Sequence, residues 1–327
     1  GASILLDRFD ERFERTPYAR TERVPGLFFE YTYAPADELT MVAGIRTDFH
    51  NAYGTMVTPR LHIRYSPAED WVIRAVAGRG HRTANIFAEN AMVFASSRAV
   101  GIDATVPFGY GLDQEIAWNV GANLTHYFLV DYREATVSIH LYRTFFEKQV
   151  VADLDSYPHQ VRFRSASDGS FANSVQLELN LQPLERLETR LAYRFLDVRQ
   201  NLGGTWLQRA LNAQHRALLN VAYATEQEDG GAPSMTYDVT VQWFGPKRSP
   251  STAANPEGLR ARSTSPPFAT LNAQITRTLF AGLELYLGGE NLLDFRQDNP
   301  ILDAGNPASP YFDAALIWGP RVGRMIY

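Results

Sequence analysis

Seven histidines are the residues best suited to chemistry at neutral pH: His50, His62, His81, His126, His140, His159 and His215. No two stand at the H-x-x-x-H or H-E-x-x-H spacing that presents a pair of imidazoles on one helical turn, so a zinc hydrolase has no motif support. Ser138 and His140 alternate along one segment and could share a strand face as nucleophile and base. Alternation alone produces such pairs, and the G-x-S-x-G elbow is absent. His81 stands beside Arg82 and near Glu89, where a ligand contact competes with loop packing. Gly78, Gly80, Gly203-Gly204 and Gly230-Gly231 could cradle phosphate only at the start of a helix after a parallel strand, and none is so placed. Lys247, Arg248, Arg260 and Arg262 in one polar stretch, with Arg162 and Arg164 in another, could attract an anion. Ordinary solvated loops remain the bland alternative. Asp294, Asp298, Asp303 and Asp313 lack the D-x-D-x-D-G spacing of a calcium loop. No cysteine is present to serve as thiol nucleophile or metal ligand. The expectation is a protein that makes and breaks no bond, with no metal and no cofactor.

The elements that carry these residues are legible from periodicity. From Thr58 to Ser66, Pro59, Leu61, Ile63 and Tyr65 alternate with Thr58, Arg60, His62, Arg64 and Ser66. Val175, Leu177, Leu179 and Leu181 alternate with Gln176, Glu178, Asn180 and Gln182. Met235, Tyr237, Val239, Val241 and Trp243 oppose Ser234, Thr236, Asp238, Thr240 and Gln242. Period two means strands with one apolar and one polar face. Similar runs cover 27–33, 38–47, 71–79, 113–126, 134–146, 186–195, 213–224, 271–276 and 282–290. With a partial strand at Ile4–Phe9 and a last one beginning near Pro320, about fourteen strands are expected. Many are longer than the usual soluble strand of about 5–6 residues and match the roughly 9–11 needed to cross a bilayer at a tilt.

Composition agrees. The 327 residues carry 31 Lys+Arg, 36 Asp+Glu and 12% aromatics, for a net charge of −5. That balance argues against disorder and against a nucleic-acid partner. No run approaches the ~18 apolar residues of a membrane helix. Connections alternate short and long. Ala34-Pro35-Ala36-Asp37, Ser66-Pro67-Ala68-Glu69-Asp70, Gln182-Pro183-Leu184-Glu185 and Leu279-Phe280-Ala281-Gly282 are short. The stretches 48–57, 80–112, 147–170, 196–212, 245–266 and 292–317 are long and polar. Tyr33, Tyr65, Trp71, Phe128, Tyr193, Tyr223 and Trp243 fall near strand ends. Long loops at one end with aromatic girdles suit an all-β, antiparallel transmembrane β-barrel. A soluble β-rich binding module is the distant alternative. A charge facing lipid at mid-membrane costs about 2–4 kcal/mol. Arg60, Arg64, Arg74, Glu178, Glu188, Arg190, Asp238 and Glu284 are therefore expected on the lumen wall.

Several stretches carry a family resemblance. Thr58-Pro59-Arg60 followed by Arg64-Tyr65-Ser66-Pro67 is similar to a "TPR … RY-x-P" hairpin. The segment from Gly78-Arg79-Gly80-His81-Arg82 to Glu89 is similar to "G-x-G-F-R-x-P-x-x-x-E", with His81 in place of the aromatic and Ala84 in place of Pro. Gly289-Glu290-Asn291-Leu292-Leu293-Asp294 is similar to "G-x-x-N-L-x-D", and Gly323-Arg324 to the "G-R" that leads into a last strand. In order and spacing the chain resembles the C-terminal part of the barrel of TonB-dependent outer-membrane receptors.

The resemblance implies strands nine to twenty-two of a 22-stranded barrel across residues 1–327, with the N-terminal plug domain and about eight strands outside the chain. It implies import of a scarce nutrient, a ferric siderophore or other metal chelate first, driven through the plug by the inner-membrane TonB energy-coupling complex. The implied surroundings are outer-membrane lipid and lipopolysaccharide. Candidate substrate contacts on the upper wall and loops are His50, Arg79, His81, Arg82, Glu89 and Arg199. The competing reading is a passive porin-like channel of fourteen strands, complete in itself. Its mark would be a final strand hydrogen-bonded to Ile4–Phe9.

Overall fold

The computed structural model describes residues 1–167, 169–225, 235–280 and 283–327. Gly230-Gly231, Ser234 and the Ala281-Gly282 turn lie outside the described residues. Seventeen strands account for nearly all regular structure. In chain order they are β1 (Ala2–Phe13), β2 (Thr16–Ala36), β3 (Leu39–His50), β4 (Gly54–Ala68), β5 (Trp71–Arg82), β6 (Ala99–Asp103), β7 (Glu115–Val130), β8 (Arg133–Asp153), β9 (Gln160–Ala166), β10 (Phe171–Leu184), β11 (Leu187–Leu202), β12 (Thr205–Gln208), β13 (His215–Ala224), β14 (Met235–Phe244), β15 (Phe268–Phe280), β16 (Leu283–Glu290) and β17 (Met325–Ile326). Helix is confined to short turns such as α1 (Ile86–Glu89). No helix among the described residues is long and apolar enough to cross a membrane. That says nothing of strands.

Fourteen of the strands form one antiparallel wall. Its register runs β1–β2–β3–β4–β5–β7–β8–β10–β11–β13–β14–β15–β16–β17. The other three, β6, β9 and β12, belong to loops. β9 pairs the upper end of β8, β6 lies parallel to β9, and β12 folds back on β11. Among the described residues no register joins β1 to β16 or β17, so the bond that would mark a self-contained fourteen-stranded channel is not formed.

The connections sort by end. At one end, the turns at 37–38, 69–70, 131–132 and 185–186 are two residues long. Asp131 and Tyr132 both have positive φ, 50° and 61°, the type I′ geometry whose twist matches the flanking strands. The opposite end carries the long connections 83–114, 154–170, 203–214, 245–267 and 291–324. Two expected features differ. The 48–57 stretch is mostly strand, leaving a hairpin of 51–53. β1 and β2 continue past the Ile4–Phe9 and 27–33 runs and meet at a tight turn, Glu14 having φ 53°. That extension makes β2 21 residues long, as is β8. Both exceed the roughly 9–11 residues that span a bilayer, so they stand above it at the loop end.

Burial is inverted relative to a soluble protein. Wall side chains such as Phe29, Ile45, Leu141, Leu177, Leu191 and Leu287 are exposed. The continuous buried apolar cluster lies instead among the loops: Ala84, Ile86, Val93, Tyr110, Leu112, Val161 and Phe163, with Tyr18, Phe87, Phe94 and Val150 against it. An apolar surface this extensive is untenable in water, where patches above a few hundred Å² mark an interaction surface. Facing lipid it is the expected arrangement.

Candidate functional site

The register places the eight charged wall residues on one face. Arg60 opposes Gly78, Arg64 opposes Arg74, and Arg74 opposes Asn123. Glu178 pairs through Ala192, Arg190 opposes Asn220, Glu188 opposes Ala222, and Ala222 opposes Asp238. Glu284 joins through Thr278. Several are satisfied within the wall. Arg60 pairs with Glu30, Arg190 donates to Glu178 at 3.0 Å, and Asp238 accepts from Asn220 at 2.8 Å. Arg74 reaches Asn123 at 3.4 Å. Arg64, Glu188 and Glu284 make no ion pair among the described residues. The cationic Arg64 and Arg74 are neighbours on β4 and β5, while Glu188, Asp238 and Glu284 lie far around the sheet on β11, β14 and β16. The face is thus polar, partly paired and segregated by charge.

At the loop end of the same wall, β2, β3 and β5 gather a denser set. Alternation puts Arg20 and Glu22 on one face of β2, and Arg46, Asp48 and His50 on the matching face of β3. Arg20 and Glu22 are both buried, and Arg20 Nε donates to Glu22 Oε1 at 2.7 Å. Its guanidinium also binds Asn85 and lies over the Phe9 and Tyr110 rings, at 3.9 and 5.1 Å. A buried ion pair survives desolvation only when such extra partners are present. His50 is buried too. Its Nδ1 accepts from the Ala52 and Tyr53 N–H groups at 3.0 and 3.4 Å, which puts the imidazole proton on Nε2. That nitrogen faces Glu22 Oε2 at 3.5 Å and makes no hydrogen bond. Burial pushes the Tyr53 hydroxyl up to about 12, helped by the Glu22 charge, and that hydroxyl donates to Leu112 O at 3.0 Å.

β5 completes the cluster. It is registered with β4 only as far as Arg60↔Gly78, and beyond that it pairs β7 alone. There His81 Nε2 comes 3.4 Å from Asp48 Oδ2. Arg82 makes a fork to Glu89 at 2.8 and 2.9 Å and a third contact with Glu115 at 2.6 Å. Of the six candidate contacts, His50, His81, Arg82 and Glu89 therefore come together. Arg79 and Arg199 do not join them. Arg79 follows the polar-face Gly78, lies opposite Trp118 and is clamped by Glu147 at 2.8 Å. Arg199 is registered with Phe171 and held by Asp197 at 2.7 Å. Both stand on the apolar face. Sequence reasoning missed Arg20, Glu22, Asp48 and Glu115; the i, i+2 pairs Arg20–Glu22 and Arg46–Asp48 were the available signal, while the contacts with Asn85, His81 and Arg82 join residues distant in the chain.

The loop cations mostly have other duties than attracting an anion. Arg248 forks onto Asp155 at 2.8 Å twice, Arg162 binds Asp103, and Arg164 approaches buried Asp153 at 3.5 Å. Arg98, which the sequence did not single out, pairs with Asp313 at 2.8 Å. Lys247 donates to Trp318 O over the Phe244 and Phe268 rings. These bonds tie separate loops into one cap. The G-x-x-N-L-x-D and G-R stretches likewise meet. Asn291 donates to Phe295 O at 2.8 Å and Val322 O at 3.2 Å. Asp294 accepts from Arg324 N at 2.9 Å. A Cβ on Gly323 would collide with the Asp294 carboxylate and the Arg296 guanidinium. The two ends of the longest loop are thereby fastened together.

Comparison with known proteins gives this geometry a family. The family described as TonB dependent receptor-like, beta-barrel matches residues 4–292. A mutant ferric enterobactin receptor (PfeA) of Pseudomonas aeruginosa, in complex with enterobactin, superposes with a TM-score of 0.68 at 16% identity, over 94% of this chain and 45% of that one. The siderophore receptor PirA of Acinetobacter baumannii gives 0.63 at 15%, over 96% and 46%. P. aeruginosa FpvA bound to heterologous pyoverdines gives 0.61 at 12%, over 95% and 38%. The chain thus spans less than half the length of these receptors, and at such identities the likeness shows the fold alone. No curated protein matches the sequence. The alternating wall, the loops gathered at one end and the motif order agree with the family match, and the chain belongs to the TonB-dependent receptor β-barrel family.

Proposed function

We propose that this chain is the C-terminal barrel portion of an outer-membrane receptor that imports a scarce nutrient, a ferric siderophore or other metal chelate, by TonB-dependent transport. The observation that carries the reading is the family match across residues 4–292, joined to a polar wall face that is only partly self-paired. Similarity to siderophore receptors supports the substrate class. On this reading the fourteen wall strands are strands nine to twenty-two of a 22-stranded barrel, and the polar face lines a plugged lumen. Arg64 and Arg74 await acidic groups of the plug, and Glu188, Asp238 and Glu284 await basic ones, since an unpaired charge in a plugged lumen is costly. The cluster of His81, Arg82 and Glu89 sits where a ligand would enter, with Arg20, Glu22 and His50 as its buried support. Arg79 and Arg199, on the apolar face, are withdrawn as ligand contacts in this reading. The work of the protein is binding and gated movement, and no residue is assigned to bond chemistry.

The test is uptake. Cells lacking the gene should lose energy-dependent accumulation of one labelled ferric siderophore from a panel, and regain it with the full-length gene. Accumulation that persists when the inner-membrane TonB complex is deleted would favour the passive channel.

A further inference from the structure

Two arginines join the long connections at their centre. Arg98, from 83–114, has its side chain almost wholly buried, as does its partner Asp313 in 291–324. Arg98 Nε donates to Asp313 Oδ2 at 2.8 Å, and a terminal nitrogen reaches Leu154 O at 3.3 Å and Gln160 O at 3.4 Å. Arg248, from 245–267, forks onto Asp155 and donates through Nε to Gln208 O of 203–214 at 2.6 Å. Leu154 and Asp155 are adjacent, just past the end of β8, so the two arginines meet on one dipeptide. Asp153, the last residue of β8, fixes that dipeptide in turn. It is fully buried, and its Oδ1 accepts from the Asp155 and Ser156 N–H groups at 3.0 and 2.9 Å. Backbone bonds reinforce the same joints. Ser97 N donates to Phe312 O and Ala314 N to Ala95 O, both at 2.9 Å, and Leu211 N donates to Arg248 O at 2.7 Å. The short hairpins belong to the same body. Tyr53 is bonded to Leu112 O, and Phe13 at the β1–β2 tip stacks on Phe87 at 5.2 Å.

We propose that these connections form one closed cap that does not part to admit a ligand, so that entry falls between the cap and the rest of the receptor. The proposal rests on the receptor reading above, in which further strands and a plug complete the barrel. Loops that swing over a ligand are drawn from the least stable parts of a protein, with few buried apolar contacts and backbone bonds open to solvent. The cap shows the reverse. Its apolar cluster is the continuous buried one of the chain, and Val161 and Phe163 within it are fully buried. Parting 83–114 from 291–324 would break the Ser97 and Ala314 backbone bonds and leave Arg98 and Asp313 as unpaired buried charges, the costliest way to open a contact. Parting 154–170 from 245–267 would take both oxygens of Asp155 from Arg248. Because both arginines bear on Leu154–Asp155, displacing one loop strains the ties of the others. The cap therefore moves as a whole or not at all.

The experiment staples the cap shut in the full-length receptor. Residues 1–327 contain no cysteine, so the pair Ala95→Cys and Ala314→Cys has no competitor within them. The two positions face each other across a short antiparallel stretch, at a Cα spacing of about 5.5 Å that a disulfide spans. Cells carrying the oxidised pair should accumulate radioiron from the siderophore panel at the wild-type rate, and reduction should change nothing. Uptake lost on oxidation and regained on reduction would overturn the closed cap and leave the receptor reading standing. Hydrogen exchange on the purified wild-type receptor gives a second readout that needs no variant. The amides of Ser97, Leu211 and Ala314 should all exchange at least about a hundredfold more slowly than in an unfolded peptide. One of them exchanging at the peptide rate while the others stay slow would also overturn the cap. Wild type that accumulates no chelate in a TonB-dependent way would overturn the receptor reading and the route of entry with it, while the exchange rates would still decide whether the cap is one body.

Discussion

At the residue scale, the strongest constraints lie in side chains that hold loops together. Asn291 is buried, sits at φ 48°, and binds the backbone of Phe295 and Val322. Asn291→Ala leaves those groups unpaired, at about 1–3 kcal/mol, and puts Ala in a left-handed conformation it disfavours. Hydrogen exchange across 291–324 should quicken in that variant and stay slow elsewhere. Glu22→Gln removes the carboxylate from buried Arg20. A broken buried pair costs about 3–5 kcal/mol, to be read as early protease nicking of the 83–114 loop that rests on it. Lys247 gives a signed pH dependence. Burial, with the Arg216 charge, holds its pKa below the ordinary 10.5. Below the folded pKa both states are protonated and the cost is constant. Between the folded value and 10.5 the unfolded chain binds the extra proton, so stability rises with pH. The stability of wild type minus that of Lys247→Met should therefore be flat near neutrality and climb toward alkaline pH. A flat difference throughout would remove the charge from the account.

At the scale of elements, the wall was legible because period two is the whole signal of a strand with one face in lipid. The runs around Arg60–Tyr65 and Val175–Leu181 needed no partner to be read. What stayed hidden depended on chemistry the sequence does not advertise. The β1–β2 turn is made by Glu14 and Arg15, with no Gly, Pro or Asn, so the sequence carried no turn signal to join the Ile4–Phe9 and 27–33 runs into one hairpin. β9 alternates cleanly through Val161, Arg162, Phe163 and Arg164, but it is short and pairs β6, some sixty residues away. The cluster of Arg20, Glu22, Asp48 and His50 needed strand register to assemble. Alternation also makes a sharp test. Leu191 and Ala192 are adjacent on β11 and point to opposite faces. Arg at 191 should cost about 2–4 kcal/mol in bilayer unfolding, as a cation facing lipid does. Arg at 192 should cost well under half of that. Equal costs would mean that the apolar face does not meet lipid.

At the scale of the whole molecule, the decisive feature is the pair of sheet edges. β1 covers β2 only as far as Leu27, so residues 28–36 of β2 have no strand on that side among the described residues, and β17 does not close onto either. Inside a bilayer every unpaired backbone N–H and C=O costs several kcal/mol, which is why only helices and closed barrels cross membranes. An edge of that length leaves about half its backbone groups unpaired, a penalty of tens of kcal/mol against a net stability of roughly 5–15. Residues 1–327 alone should therefore fail to insert as a monomer, and should aggregate edge to edge when refolded with detergent or vesicles. If the proposed receptor reading holds, co-refolding with the N-terminal part of that receptor should restore a species that is compact on unheated gels and resists protease. Should residues 1–327 insert alone and conduct ions through single channels, the edges must have closed on each other, and the passive fourteen-stranded channel would displace the gated receptor.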